Sequence, residues 1–63
     1  MYEFSKKVLQ KVSFDRELFK KELSKSIKWL KKDEALLLKA WCLTTFVQYK
    51  DVIIDTYDKI SNN

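Results

Sequence analysis

The sequence predicts an all-α fold, a small bundle of three or four helices around one apolar central helix at about residues 34–47. The chain of 63 residues contains neither glycine nor proline, so the usual residues of tight β-hairpin turns are missing. Apolar residues make up 46% of the sequence, and they recur at helical spacing. A disordered chain does not have this composition. At this length we expect a single helical domain, residues 1–63.

The first predicted helix covers about residues 2–12. Its apolar residues fall at helical spacing, with lysines between them toward solvent: Phe4, Val8, Leu9 and Val12. A helix this short is not stable alone in water. We therefore expect packing against the rest of the chain to hold it.

The second predicted helix covers about residues 15–31. Asp15 is a good N-cap, and Phe14 and Phe19 have the spacing of a hydrophobic staple across the helix start. An apolar stripe follows: Phe19, Leu23, Ile27 and Leu30. The link at residues 31–33 is short, which predicts that the second and third helices are antiparallel neighbours.

The third predicted helix, about residues 34–48, is the most apolar part of the chain. Ten of the thirteen residues at 35–47 are apolar, and Lys39 is the only charge among them. Asp33 stands where an N-cap is expected. A membrane span needs about 20 apolar residues, so this segment is too short to be one. A helix that is apolar in nearly every direction is instead typical of the centre of a bundle.

The residues after position 47 leave two alternatives open. The apolar stripe continues without interruption, so residues 34–60 could form one long helix. A separate fourth helix at about residues 51–60 is favoured, because Asp51 could cap it and the β-branched run at 52–54 mildly disfavours a helix. We therefore expect a break or kink near residues 48–51.

The composition argues against catalysis and against metal or cofactor binding. The chain has no histidine, which is the commonest general base, and its one cysteine, Cys42, is too few for a structural zinc site. Without glycine there is no glycine-rich phosphate loop. We expect no enzyme activity, no metal and no cofactor, and we interpret Cys42 as a small buried hydrophobic residue. With no signal peptide or membrane span visible, the expected location is cytoplasmic.

The charge is distributed unevenly along the chain. Residues 1–32 carry a net charge of +6 and residues 33–63 a net charge of −2. Four lysines are predicted on one face of the second helix as a candidate site for nucleic acid or another polyanion: Lys21, Lys25, Lys28 and Lys32. Sequence-specific DNA recognition is not supported, because base readout favours arginine and the chain has only Arg16. The alternative is that the lysines only keep the protein in solution.

Self-association is the function that the apolar pattern favours. So few helices in so short a chain cannot cover every side of the third helix. We predict a candidate protein interface at Trp29, Leu37 and Trp41, most simply in a homodimer. The sequence thus favours a non-enzymatic helical module for protein–protein interaction or oligomerisation. The alternative is nonspecific nucleic-acid or polyanion binding through the lysines of the second helix.

Overall fold

The computed structural model describes residues 2–61 and confirms the all-α fold. Four α-helices and one 3₁₀ turn follow in order: α1 (Tyr2–Val12), α2 (Arg16–Trp29), α3 (Lys32–Thr45), the 3₁₀ turn (Val47–Tyr49) and α4 (Lys50–Ser61). Within these residues there is no strand, and no helix is both long enough and apolar enough to cross a membrane.

The four helices pack in the cyclic order α1, α2, α4, α3. Helices α1 and α4 each lie against both α2 and α3, so that α2 and α3 occupy opposite corners of the bundle. The prediction that the second and third helices are antiparallel neighbours is therefore wrong. The backbone of Leu30 and Lys31 is extended, with ψ angles of 153° and 158°, and the chain changes direction between the two helices instead of folding back.

One apolar core lies between the helices, and every helix contributes to it. Its fully buried members include Leu9 of α1, Phe19 and Leu23 of α2, Leu38 and Cys42 of α3, and Ile53 of α4. The ring of Phe19 is at the centre of an aromatic group, 5.0 Å from the ring of Phe46 and 4.8 Å from that of Tyr49. Burial of these side chains supplies the main stabilising free energy of the fold.

The helix starts follow the sequence signals only in part. The carboxylate of Asp15 caps α2 by accepting from the backbone amides of Glu17 and Leu18, at 3.0 and 3.2 Å, as predicted. The staple prediction is wrong, because Phe14 is 80% exposed. Asp33 is not the cap of α3 either: the helix begins at Lys32, and Asp33 lies in its first turn, where its charge still favours the helix dipole.

The apolar segment does not continue into one long helix. Helix α3 ends at Thr45, earlier than the predicted break near 48–51, and Phe46 leaves helical geometry with φ −115° and ψ 61°. This turn places the Phe46 ring in the core, and α4 begins directly after the 3₁₀ turn. Asp51 is the second residue of α4, and its carboxylate accepts from the guanidinium of Arg16 at 2.9 Å.

Two tyrosine hydroxyls connect distant segments through backbone carbonyls. Tyr49 donates to the carbonyl of Ser13 at 2.6 Å, which ties the 3₁₀ turn to the α1–α2 connection. Tyr57 of α4 donates to the carbonyl of Ala35 in α3 at 2.7 Å, and this bond is buried. These contacts fix how α3 and α4 sit on the rest of the bundle, and hence which side of α3 faces outward.

Candidate interaction surfaces

The outward side of α3 is apolar and uncharged. It consists of Leu36, Leu37, Ala40 and Thr44, all exposed, and is called here the α3 outer face. The side chains of Leu36 and Leu37 are 57% and 58% exposed. Asp33 marks the N-terminal limit of this face. Lys39 points elsewhere, with its ammonium 5.5 Å from the centre of the Tyr57 ring on α4. The most apolar helix of the chain therefore buries one side in the core and leaves the other uncovered.

The spacing within the α3 outer face is that of a helix–helix seam. Leu37, Ala40 and Thr44 follow one another at intervals of three and four residues, as the a and d positions of a coiled coil do. The small side chain of Ala40 stands in the middle, where it permits close approach of another helix. The hydroxyl of Thr44 donates to the carbonyl of Ala40 at 3.0 Å, so it needs no partner from outside.

The three residues predicted as a protein interface lie on two sides of α1. Leu37 belongs to the α3 outer face. Trp41 is half-buried: its ring packs edge-on against Phe46 at 5.3 Å, and the ammonium of Lys6 lies 5.3 Å above it. Trp29 is 72% exposed and lies on the side of α2 that faces α1. The structure thus brings Trp41 close to α1 as a packing residue and leaves Leu37 and Trp29 on separate surfaces.

A groove runs between α1 and α2 and contains Trp29. This α1–α2 groove has a volume of about 330 Å³ and is lined by Phe4, Ser5, Val8, Glu22, Lys25, Ser26 and Trp29. Ser5 is buried, and the hydroxyl of Ser26 donates to the carbonyl of Glu22 at 3.0 Å. Phe4 is 61% exposed. The groove is shaped by small residues where the two helices meet, and by exposed aromatic rings at its edges.

The four lysines predicted on one face of the second helix do not share that helix. Lys21, Lys25 and Lys28 are exposed on α2. Helix α2 ends at Trp29, however, and Lys32 is the first residue of α3. This part of the prediction is wrong, because the extended residues at 30 and 31 separate Lys32 from the helical rise of α2. Lys25 also pairs with Glu22, at 3.7 Å.

The buried ionisable groups are held neutral. Burial raises the pKa of the Cys42 thiol to about 12, and burial is also the main cause that raises the pKa of Tyr57. A thiol in this state is a poor nucleophile at neutral pH. Among residues 2–61, no three side chains of the ligand types His, Cys, Asp and Glu are grouped as a metal site requires.

The pKa of the Asp51 carboxyl lies below its usual value. The first cause is the hydrogen bond from Arg16, helped by the backbone amide of Val52. The pair lies between α2 and α4, beside a polar hollow that also contains Lys20 and Asp55. Two basic and three acidic residues line the hollow, with Glu17 as the third acid, so its net charge is −1 and it does not favour an anionic ligand.

Comparison with known proteins finds no match among protein-family models, curated proteins or solved structures. What can be proposed about function therefore rests on the surfaces described above.

Sequence reasoning missed Leu36 and Phe4 as surface residues. Both belong to apolar stripes, and such stripes are normally buried. The missed signal for α3 is the three-and-four spacing of an uncharged stripe opposite its buried residues Ala35, Leu38 and Cys42. For Phe4, no local pattern separates it from the buried Leu9, because the way α1 packs against the other helices decides which side chain is covered.

Proposed function

We propose that the protein is a non-enzymatic helical module that associates with a second copy of itself through the α3 outer face. The observation that carries the proposal is the uncharged stretch of Leu36, Leu37 and Ala40 on the outside of the bundle. It lies in a chain with 22 charged residues among 63. A cytoplasmic setting, in which the thiol of Cys42 stays reduced, is part of the proposal.

A second α3 is the occupant that suits this face. A partner surface bearing charges would have to desolvate them against leucine and alanine, which costs several kcal/mol per ion without compensation. The α3 outer face of another copy carries no charge. Two α3 helices related by a two-fold axis near Ala40 would place the leucines of one copy beside Thr44 of the other. Such an interface is closed and self-complementary.

The size of the α3 outer face sets the expected affinity. Helix α3 has 14 residues and is about 21 Å long, so two crossed copies bury less than the roughly 1,200 Å² at which stable interfaces begin. An interface of standard size, about 800 Å² per partner, would take nearly a fifth of the 4398 Å² surface of the chain. We therefore expect reversible association with a dissociation constant on the order of micromolar, rather than an obligate dimer.

Sedimentation equilibrium over a range of concentrations tests the proposal. The wild-type protein is expected to shift from monomer to dimer. Leu37→Glu is expected to stay monomeric, because it would bury a carboxylate in the apolar interface. Phe14→Glu is the matched control, since Phe14 is an exposed apolar residue in the α1–α2 connection and is not part of the α3 outer face. A wild-type protein that stays monomeric at hundreds of micromolar, or equal disruption by both variants, would overturn the proposal.

A further inference from the structure

Exposed aromatic rings and lysines occur together on the α1–α2 side of the bundle. Phe4 and Trp29 line the α1–α2 groove and are 61% and 72% exposed. Five exposed lysines lie on the same two helices: Lys7, Lys11, Lys21, Lys25 and Lys28. Residues 2–29 contain eight lysines and arginines against four acidic residues. The two helices that form the groove therefore carry both exposed aromatic rings and many lysines, unlike the uncharged α3 outer face.

Three of the four acidic residues of this region contact the protein's own groups, and Glu17 is the fourth. Asp15 accepts the capping hydrogen bonds of α2. Glu3 lies 3.7 Å from Lys6, and Glu22 lies 3.7 Å from Lys25. Both ion pairs are long, so the ammonium of Lys25 is available to a stronger anion at little cost. The net charge of residues 2–29 is +4, which favours an anionic ligand on these two helices.

The exposed aromatic rings indicate which kind of anion the groove would bind. Lysines alone are explained by solubility, but a tryptophan that is 72% exposed at the edge of a concave groove provides a flat apolar surface for a planar ring. A cationic groove with exposed aromatic side chains is the arrangement by which proteins hold single-stranded nucleic acid, with phosphates near lysine and bases stacked on the rings. The concave form of the groove suits a base better than it suits insertion into a lipid surface.

We propose that the α1–α2 groove binds single-stranded nucleic acid, with Trp29 and Phe4 stacking on bases and Lys25 and Lys28 contacting phosphates. The bases of a duplex are stacked on one another and do not offer their faces to these rings. Readout of a duplex also favours arginine, and the only arginine, Arg16, is held by Asp51 at 2.9 Å. The binding is expected to be independent of sequence.

Fluorescence titration tests this proposal independently of self-association. In a Trp41→Phe background Trp29 is the only tryptophan, and its emission is followed as an oligo(dT) of about 16 nucleotides is added at about 50 mM salt. Stacking is expected to quench the emission. Raising the salt to about 200 mM is expected to weaken the binding by a factor that grows with the number of phosphates contacted. A self-complementary duplex of equal length and anionic lipid vesicles are the comparison ligands.

Substitutions separate stacking from charge. In anisotropy with a labelled oligonucleotide, Trp29→Ala is expected to weaken binding about 5- to 100-fold, whereas Trp29→Phe keeps a ring and stays near the wild-type affinity. Lys28→Glu is expected to weaken binding more than Lys50→Glu, which makes the same charge change on α4, next to Asp51. Three results would overturn the proposal: no binding at low salt, equal affinity of Trp29→Ala and wild type, or tighter binding to the duplex or to the vesicles than to oligo(dT).

Discussion

At the residue scale, Cys42 and Tyr57 show that burial in the core keeps ionisable side chains in their neutral form. Cys42 is fully buried and Tyr57 nearly so, with its hydroxyl bound to the carbonyl of Ala35. Burial is the main cause of the raised pKa of both groups, and the ammonium of Lys39 lies over the face of the Tyr57 ring, 5.5 Å from its centre. Both groups are therefore expected to act as hydrophobic residues of the core and to resist thiol or phenol chemistry while the protein is folded.

This burial predicts a loss of stability at alkaline pH. The pKa of Cys42 rises from 9.0 to about 12 on folding, so the unfolded thiol ionises while the folded thiol remains protonated. The stabilisation is complete below pH 9 and is lost as the pH rises toward 12. Tyr57 adds to the loss above pH 10, because its pKa is also raised in the folded state. Urea unfolding at several pH values measures the effect.

The Cys42→Ala variant isolates the thiol contribution to this pH dependence. It is expected to be less stable at neutral pH because it loses packing, yet its stability is expected to fall less steeply between pH 9 and 10. A slope equal to that of the wild type in this interval would contradict the assignment to Cys42.

At the element scale, the end of α3 shows where local sequence signals stop being sufficient. A fourth helix and a break before it were predicted, but the two signals used were wrong: Asp51 is the second residue of α4 and not its cap, and the β-branched run at 52–54 lies inside the helix. The position of the break could not be predicted, because residues 45–48 contain no glycine, proline or other strong breaker. The position of the break depends on the contacts that the rings of Phe46 and Tyr49 make with the distant ring of Phe19. Those contacts in turn depend on how α2 packs against α4. The start of α3 also differs from the local signal. Asp33 is a residue type that commonly caps helices, but the extended link ends at Lys31 and the helix begins at Lys32.

Phe46 therefore has two roles: it ends α3, and its ring fills part of the core. Phe46→Ala is expected to cost about 3–5 kcal/mol, because it removes a ring that is 5% exposed and contacts Phe19 and Trp41. A chain of this length has a total stability of only about 3–9 kcal/mol, so much of the variant would be unfolded at room temperature. Circular dichroism with urea unfolding measures the change. Val47→Ala, at a neighbouring residue that is 64% exposed, is the control and is expected to change stability little. Similar losses in the two variants would contradict the role of Phe46.

At the scale of the whole molecule, the bundle carries two surfaces of different character. The all-α fold and the excess of apolar surface on the third helix followed from composition and periodicity. Which residues remain exposed followed only in part: Trp29 and Leu37 are exposed as predicted, but the arrangement of α2 and α3 at opposite corners could not be read from the sequence. Trp41 is covered by Phe46 and Lys6, whereas Leu36 is left uncovered. Self-association through α3 would leave the α1–α2 groove of each copy accessible, so the two proposed interactions are compatible.

Disulfide cross-linking at position 40 tests the proposed dimer most directly. At a two-fold contact of α3 helices, facing Cα atoms near Ala40 are expected about 4–6 Å apart, which is within the range of a disulfide. In a Cys42→Ala background, Ala40→Cys is expected to give a covalent dimer rapidly under mild oxidation. Lys21→Cys, on the opposite corner of the bundle, is expected to remain monomeric. Failure of the position-40 variant to cross-link, or equally fast cross-linking of the position-21 variant, would contradict self-association through the α3 outer face.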